Sequence, residues 1–433
     1  MADFILQFMV DERLCIIGAG AAGLGTMEVL QRRGIAFDCY EQSDRVGGHW
    51  HTDYESLHLI TSRDLSGFAG YPMPADYPVY PSRDQMRAYL ERFADETGVR
   101  AHVRFGVGVE RITPLGIAGR DGWRVETSDG ETHDYAGVIV CNGHLRDPNV
   151  PAYEGTFTGQ QIHSGAYRSV DDLAGTRVLT VGAGNSGCDL AVDVANARLE
   201  STISIRRGQM FQPKAVFGRP RAEIGWLSRL PVRVNERIAR VMSDVVIGPA
   251  RAYRGLQDPT TRNLNEQPPV VNNLLPYWIQ HGRIRVVPGL ARLDGRRVHF
   301  TDGTSGEFDT ILWATGFRAS LPFLGRDVIR WDGGVPLRTA GMTLPVGAEN
   351  LYLVGLAAPR GPQLPVFSAQ AELVARMRGL DHDRRSALAA QFAEIEVADA
   401  RIDIVRALWQ RQLRTAHRTV DALHRARPVR VAS

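Results

Sequence analysis

Two short glycine turns carry the spacing in this chain best suited to chemistry. The first is Gly18-Ala-Gly20-Ala-Ala-Gly23 and the second is Gly182-Ala-Gly184-Asn185-Ser186-Gly187. Glycine at these three positions allows a tight turn, close approach of backbone to a pyrophosphate, and close packing of the next helix on the preceding strand. The helix start then offers free N–H groups to the negative charge. Each turn follows an apolar run ("RLCII", "RVLTV") and precedes an amphipathic one, the context that gives the pattern meaning. The next apolar run after the first turn ends in Glu41, whose carboxylate can accept hydrogen bonds from ribose hydroxyls. After the second turn the corresponding run ends in Arg206 and Arg207, with no acid; two guanidinium forks suit a 2′-phosphate. Two such turns imply two dinucleotides, and the economical pair is FAD with NADPH, favoured over NADH. Lys214, the only lysine in the chain, is placed to assist the arginines or to stand exposed.

The elements that must position these turns repeat. "RLCIIGAGAAGLGTMEVLQRRG" reads as strand, turn and a helix ending at Gly34, and "IAFDCYEQ" as a second strand. Residues 54–81 are irregular, and "PSRDQMRAYLERFADETG" is a helix with Ser82 as N-cap. Strands are expected near 101–112 and 122–128, and "YAGVIVCNG" is a buried strand. The pattern restarts with "TRVLTVGAGNSGCDLAVDVANA" and "STISIRRG". Helical stretches, among them "IARVMSDVVI", fill 216–280, and "RRVHFTDGTSGEFDTILWATGF" is a hairpin followed by a buried strand. The tail beyond about Phe367 is helical, Arg-rich and broken at Gly379, and is expected to be docked or solvated.

Bulk composition excludes several classes. A chain of 433 residues with 23% charged and 44% hydrophobic residues is an ordinary globular protein of two or three folding units. The net charge of +3 comes without a dense basic run, so no nucleic-acid partner is expected. Cys15, Cys39, Cys141 and Cys188 form no CxxC pair and fall in apolar or glycine-rich segments, against a disulfide framework, a zinc site or dithiol chemistry. "MADFILQFMVDER" lacks a basic n-region and a small-residue cleavage site, and no apolar run approaches about 18 residues, so neither a signal peptide nor a membrane anchor is expected and the cytoplasm is the default.

One stretch fits none of these elements. "FTGQQIHSGAYR", Phe157–Arg168, is polar for a core strand and regular for a linker. It resembles the FxGxxxHxxxY/F fingerprint of the flavin-containing monooxygenases, matched by Phe157, Gly159, His163 and Tyr167. Three further segments resemble the same family: Gly47-Gly48-His49-Trp50, Ala314-Thr315-Gly316-Phe317, and "GLAAPRGPQLPVFSAQAELVA". The resemblance runs from about Leu14 to Ala375. It implies an α/β fold of two Rossmann-like dinucleotide-binding domains, for FAD and NADPH, the second inserted into the first. Residues 1–164 would begin the FAD domain, 165–318 would form the NADPH domain with a helical insertion at about 216–280, and 319–433 would return to the FAD domain and end in the tail. Gly48, Trp50, Arg63, Val109, Thr315 and Gln370 join the glycine turns as cofactor-binding candidates.

The family's chemistry, carried over as an implication, is reduction of FAD by NADPH, capture of O2 as a C4a-(hydro)peroxyflavin, and retention of NADP while a small organic substrate is oxygenated. His163 and Tyr167 would then help position NADP. One departure stands at Ile60, in "YESLHLITSRDL", where many members carry an Asn that points at the flavin; isoleucine can neither donate nor accept a hydrogen bond. The YUCCA branch also lacks that Asn, and Leu57, Leu59 and Arg63 resemble its pattern. Tyr167 stands where Baeyer–Villiger relatives usually have Trp. The leading expectation is N- or S-oxygenation or oxidative decarboxylation. Ester formation, an uncoupled NADPH oxidase or flavin reductase, and a non-catalytic nucleotide-binding regulator are the alternatives. A homo-oligomer is left open.

Overall fold

The computed structural model describes residues 11–224, 232–261, 263 and 266–426. The apolar part of the N-terminal leader and part of the helical stretch expected at 216–280 lie outside the described residues. Strand β1 (Asp11–Ile17), helix α1 (Ala21–Arg32) and strand β2 (Phe37–Glu41) open the chain. Leu14, Cys15 and Ile16 are fully buried, as expected for a central parallel strand covered on both faces. β1 pairs in parallel with β2 on one side and with β6 (Thr132–Val140) on the other. With β3 (Val103–Phe105), β4 (Val109–Leu115) and β5 (Gly122–Thr127), the sheet order is β3-β2-β1-β6-β5-β4. The helix Arg83–Glu96 starts at Ser82, whose side chain accepts from Gln85 N–H in a reciprocal capping box, as its sequence predicts.

The second sheet is parallel throughout. β7 (Gln160–His163), β8 (Arg177–Val181), helix α2 (Asn185–Asn196), β9 (Glu200–Ser204), β10 (Ile284–Val287) and β11 (Thr310–Trp313) give the order β10-β9-β8-β11-β7. The polar fingerprint stretch thus contains an edge strand, where one face meets water and polar side chains are tolerated. The strand pairing bears on where the first unit ends. β7 pairs with β11, and Glu154–Phe157 pairs with Leu290–Gly295, so both segments before residue 164 form strands with the later part of the chain.

The chain rejoins the first sheet at β12 (Leu351–Leu353). β12 pairs with Val138–Val140 of β6, beyond the point where β5 leaves that edge. Helix α3 (Leu364–Arg378) then packs on α1 and closes the main apolar core. The tail is docked. Its last helix, Arg406–Arg425, buries Trp409, Ala416 and Val420, and the Trp409 indole N–H donates to Gly341 O at 3.1 Å. All four cysteines are buried and unpaired. No helix among the described residues is long and apolar enough to cross a membrane.

Candidate active site

The two glycine turns are built alike, and both lie where strands end and helices begin. Gly18 N–H donates to Tyr40 O of β2 at 2.9 Å; Gly182 N–H donates to Ser204 O of β9 at 3.1 Å. Both first glycines have positive φ, +98° and +110°. A Cβ on Gly23 would stand 1.9 Å from Gly18 O, and one on Gly187 2.1 Å from Gly182 O. The third glycine of each turn is therefore required by helix–turn contact. The middle glycines, Gly20 and Gly184, cap α1 and α2 and face open space apart from the Gly48 Cα, 3.8 Å from a Cβ built on Gly20. That leaves the two helix N-termini accessible to anionic groups.

The strands on the other side of each turn also match. Cys141 follows β6 and Ala314 follows β11, each amide donating back to the end of the neighbouring strand at 2.9 Å. A Cβ on Gly18 would meet Cys141 O, and one on Gly182 would meet Ala314 O. Cys141-Asn142-Gly143-His144 is thus the first unit's counterpart of Ala314-Thr315-Gly316-Phe317, with positive φ at both Gly143 and Gly316. His144 was missed in the sequence, although the CNG/ATG parallel could have found it. Its Nδ1 contacts Gly355 O at 3.2 Å, and burial lowers its pKa, favouring neutral imidazole.

Around the first turn the remaining candidates converge. Glu41 is buried; one carboxylate oxygen accepts from Ala19 N–H at 2.8 Å, the other from Ser43 N–H and Oγ at 2.9 Å. The carboxylate therefore first fixes the turn itself, with lone pairs left for a ribose. Val109 opens β4 beside this point: Val107 N–H donates to Glu41 O, and a Cβ on Gly108 would touch Gln42. Gly48, with φ +60°, presses against Gly20, and the Trp50 ring lies tilted against His49 at 5.0 Å and packs on the core. Gln370 is fully buried on α3. Its Oε1 accepts from Gly355 N–H at 3.1 Å, while its Nε2 has no partner. A glycine-lined cradle at a helix N-terminus with an unused buried donor nearby fits FAD.

Around the second turn, Asn185 Oδ1 accepts from Val271 N–H at 2.9 Å, and Ser186 is exposed at the start of α2. Arg206 and Arg207 are exposed just past the end of β9 and make no ion pair with another described residue. Two free guanidinium groups beside an open helix N-terminus fit the phosphates of NADPH. Thr315 Oγ1 donates to Asn149 O, which stitches the second turn's flank to the segment leaving the first unit.

The remaining candidates are placed as follows. His163 is buried and reaches no open cradle. Its Nε2–H donates to Gly316 O at 3.0 Å, its Nδ1 accepts from Gly165 N–H at 3.1 Å, and its ring meets Phe317 edge-on at 4.9 Å. It is a positioning residue that ties the fingerprint to the Ala314–Phe317 turn. Burial lowers its pKa, partly offset by the Gly316 bond. Tyr167 is fully buried in an apolar cluster with Tyr54, Val178, Leu190, Val194 and Leu312. Arg63 is not free for a cofactor: its guanidinium holds Asp64 and the carbonyls of Ala75 and Tyr77, pinning the 75–77 loop. Ile60 is 36% exposed on the segment between the units. Lys214 meets His58 across the units instead of joining Arg206 and Arg207.

Comparison with known proteins agrees with this layout. Residues 11–386 match the family model described as flavin-binding monooxygenase-like. Indole-3-pyruvate monooxygenase YUCCA1 of Oryza sativa subsp. japonica is 32% identical over 355 residues, covering 78% of this chain and 85% of that protein. Flavin-containing monooxygenase 5 of Rattus norvegicus is 26% identical over 397 residues, covering 84% of this chain and 72% of that protein. Among solved structures, a mutant flavin monooxygenase from Stenotrophomonas maltophilia superposes with a TM-score of 0.66 at 25% identity, covering 84% of this chain and 97% of that one. NADP+-bound cyclohexanone monooxygenase from Rhodococcus sp. Phi1 shares the fold, with a TM-score of 0.69 at 19% identity over 95% of this chain and 98% of that one. The chain belongs to the flavin-binding monooxygenase-like family and is an enzyme that uses FAD and NADPH.

Proposed function

We propose that the protein transfers one atom of O2 to a small organic substrate, by N- or S-oxygenation or oxidative decarboxylation, with NADPH as reductant. The observation that carries this reading is the pair of matched glycine turns, one beside Glu41 and one beside Arg206 and Arg207, with the second turn's flank tied to the first unit's exit segment through the Thr315–Asn149 bond. FAD supplies the electron storage and the oxygen activation that no amino-acid side chain provides. The chain's own groups do the rest. Gly18, Gly20, Gly23 and Gly48 shape the first cradle, and Glu41 fixes its turn through the Ala19 amide. Gly182, Gly184 and Gly187 shape the second, and Arg206 and Arg207 read the 2′-phosphate. His163 and Thr315 hold the second turn against the connectors, which keeps the reacting groups aligned and water out.

One observation favours a second reading. Ile60 offers no hydrogen bond and is partly exposed, which suits an NADPH oxidase that releases hydrogen peroxide. Hydrogen peroxide released per NADPH consumed, measured with and without a panel of amines, thioethers, ketones and 2-oxo acids, separates the two. A substrate that speeds NADPH consumption and lowers the peroxide yield supports oxygenation. Unchanged stoichiometric peroxide across the panel supports the oxidase.

A further inference from the structure

Helix α2 starts at the nicotinamide turn and carries two carboxylates one turn apart, Asp189 and Asp193. Residues four apart share a helix face. Here that face meets Tyr54-Glu55-Ser56, the segment that leads from the first unit's Gly48–His51 turn to Ile60. Tyr54 Oη donates to Asp189 Oδ2 at 3.0 Å, and Ser56 Oγ donates to Asp193 Oδ2 at 2.5 Å. Between them Glu55 N–H donates to Arg168 O at 2.8 Å, at the end of the fingerprint. The other Asp189 oxygen accepts from Asn272 Nδ2 at 2.8 Å, and Asn272 in turn receives the Leu274 and Leu275 amides, so Asp189 is held from both sides.

The apolar side of the contact agrees with the polar side. The Tyr54 ring is buried inside the second unit's own cluster with Val178, Leu190, Val194 and Leu312, and Tyr167 completes that cluster. The Tyr167 hydroxyl faces Asp193 without hydrogen-bond geometry. The fingerprint tyrosine therefore builds the socket into which Tyr54 is inserted. His58 extends the contact: its Nδ1 meets Ser56 O at 3.0 Å and its Nε2 meets Lys214 of the second unit, whose carbonyl accepts from Tyr80 Oη at 2.9 Å.

We propose that Asp189 and Asp193, with Tyr54 and Ser56, are positioning residues that fix the nicotinamide-bearing helix against the flavin-side segment and so set the geometry of hydride transfer. This rests on the NADPH- and FAD-dependent reading above. In the step concerned one hydride leaves NADPH and, with one proton from water, reduces the flavin; NADP+ remains. None of the four side chains exchanges a proton or an electron. Their effect falls on alignment, to which such a transfer is steeply sensitive.

The test uses the FAD-loaded protein mixed anaerobically with NADPH, following flavin bleaching, with Tyr54→Phe, Asp189→Asn, their double variant, and Ser56→Ala. The bleaching rate at saturating NADPH is expected to fall by about tenfold in Tyr54→Phe and Asp189→Asn, the effect of one hydrogen bond to a part-buried carboxyl group. The half-saturating NADPH concentration should change by less than about threefold, and the double variant should be no slower than the slower single one. Without NADPH, amide hydrogen exchange at Glu55 should quicken in the same variants. Ser56 is exposed, so Ser56→Ala provides a folded variant if the others fail, with the same split at smaller size. Saturated bleaching at the wild-type rate overturns the proposal, as does a loss confined to NADPH affinity. If the unmodified protein is not bleached by NADPH at all, the function proposed above fails, while quickened Glu55 exchange in the variants still supports the contact and unchanged exchange overturns it.

Discussion

Replacing His163 by alanine removes a defined set of contacts beside the second glycine turn. The imidazole donates to Gly316 O at 3.0 Å, accepts from Gly165 N–H at 3.1 Å and meets Phe317 edge-on at 4.9 Å. A neutral hydrogen bond contributes about 1 kcal/mol net, and orphaning its buried partner costs about as much again or more. The ring pair adds roughly 0.5–1.5 kcal/mol. The Gly316 carbonyl can recover water because that glycine is exposed, which trims the total to about 3 kcal/mol. For a cooperative unit of about 150–250 residues that is a fall in Tm of about 6–12 °C. His163→Ala should nevertheless purify with full FAD, because the ring touches no part of the first cradle. What it should lose is coupling: with the Ala314–Phe317 turn loosened, more NADPH should end as hydrogen peroxide. Thr315→Val, which removes the bond to Asn149 from the same turn, should reproduce that uncoupling. Differential scanning calorimetry with a peroxide-to-NADPH ratio gives both readouts. Unchanged Tm and unchanged coupling in His163→Ala would refute the latch.

Three further outcomes are expected. NADPH should exceed NADH in kcat/KM by about tenfold or more, since charge-assisted bonds contribute roughly 1.5–3 kcal/mol, and Arg206→Ala with Arg207→Ala should narrow that gap; equal use of both by the unmodified enzyme removes the assignment. Gly20→Val places a branched side chain between the first turn and the Gly48 Cα, so the protein should fold but purify colourless; a yellow variant with normal flavin content shows that FAD lies elsewhere. His163 and His144 both have pKa values lowered by burial, so the folded state binds fewer protons than the unfolded one just below the ordinary histidine value of about 6.5. Their contribution to stability is complete above that value and is lost as pH falls through it. Tm should drop between about pH 7 and 5, and drop less in His163→Ala; parallel curves contradict the shift.

The glycine turns, the strand–turn–helix repeats and the Ser82 cap were legible because each is a local backbone requirement. Gly23 and Gly187 show why: a side chain would strike the turn five residues earlier, so local spacing reports the contact directly. Glu41 was legible as a carboxylate at a strand end, but its grip on the Ala19 amide was not, since that bond depends on how β2 lies beside β1. His163 and Tyr167 were legible as a pattern, but their neighbours were not. Pairing of β7 with β11 turns His163 toward Gly316, and burial of the fingerprint's end places Tyr167 in a core. Asp189 and Asp193 show the helix-face spacing in the sequence. Their partners, Tyr54 and Ser56, lie more than 130 residues away, and only tertiary structure joins them.

The central claim is that the protein moves an oxygen atom from O2 into a substrate at the expense of NADPH. The direct measurement is turnover under 18O2 with the compound in the amine, thioether, ketone and 2-oxo-acid panel that most stimulates NADPH consumption, followed by mass spectrometry of the product. The account predicts one 18O atom in each oxygenated product and one NADPH consumed for each product and peroxide molecule formed. Product oxygen drawn from water, or complete recovery of the consumed NADPH as hydrogen peroxide with every compound, would contradict it.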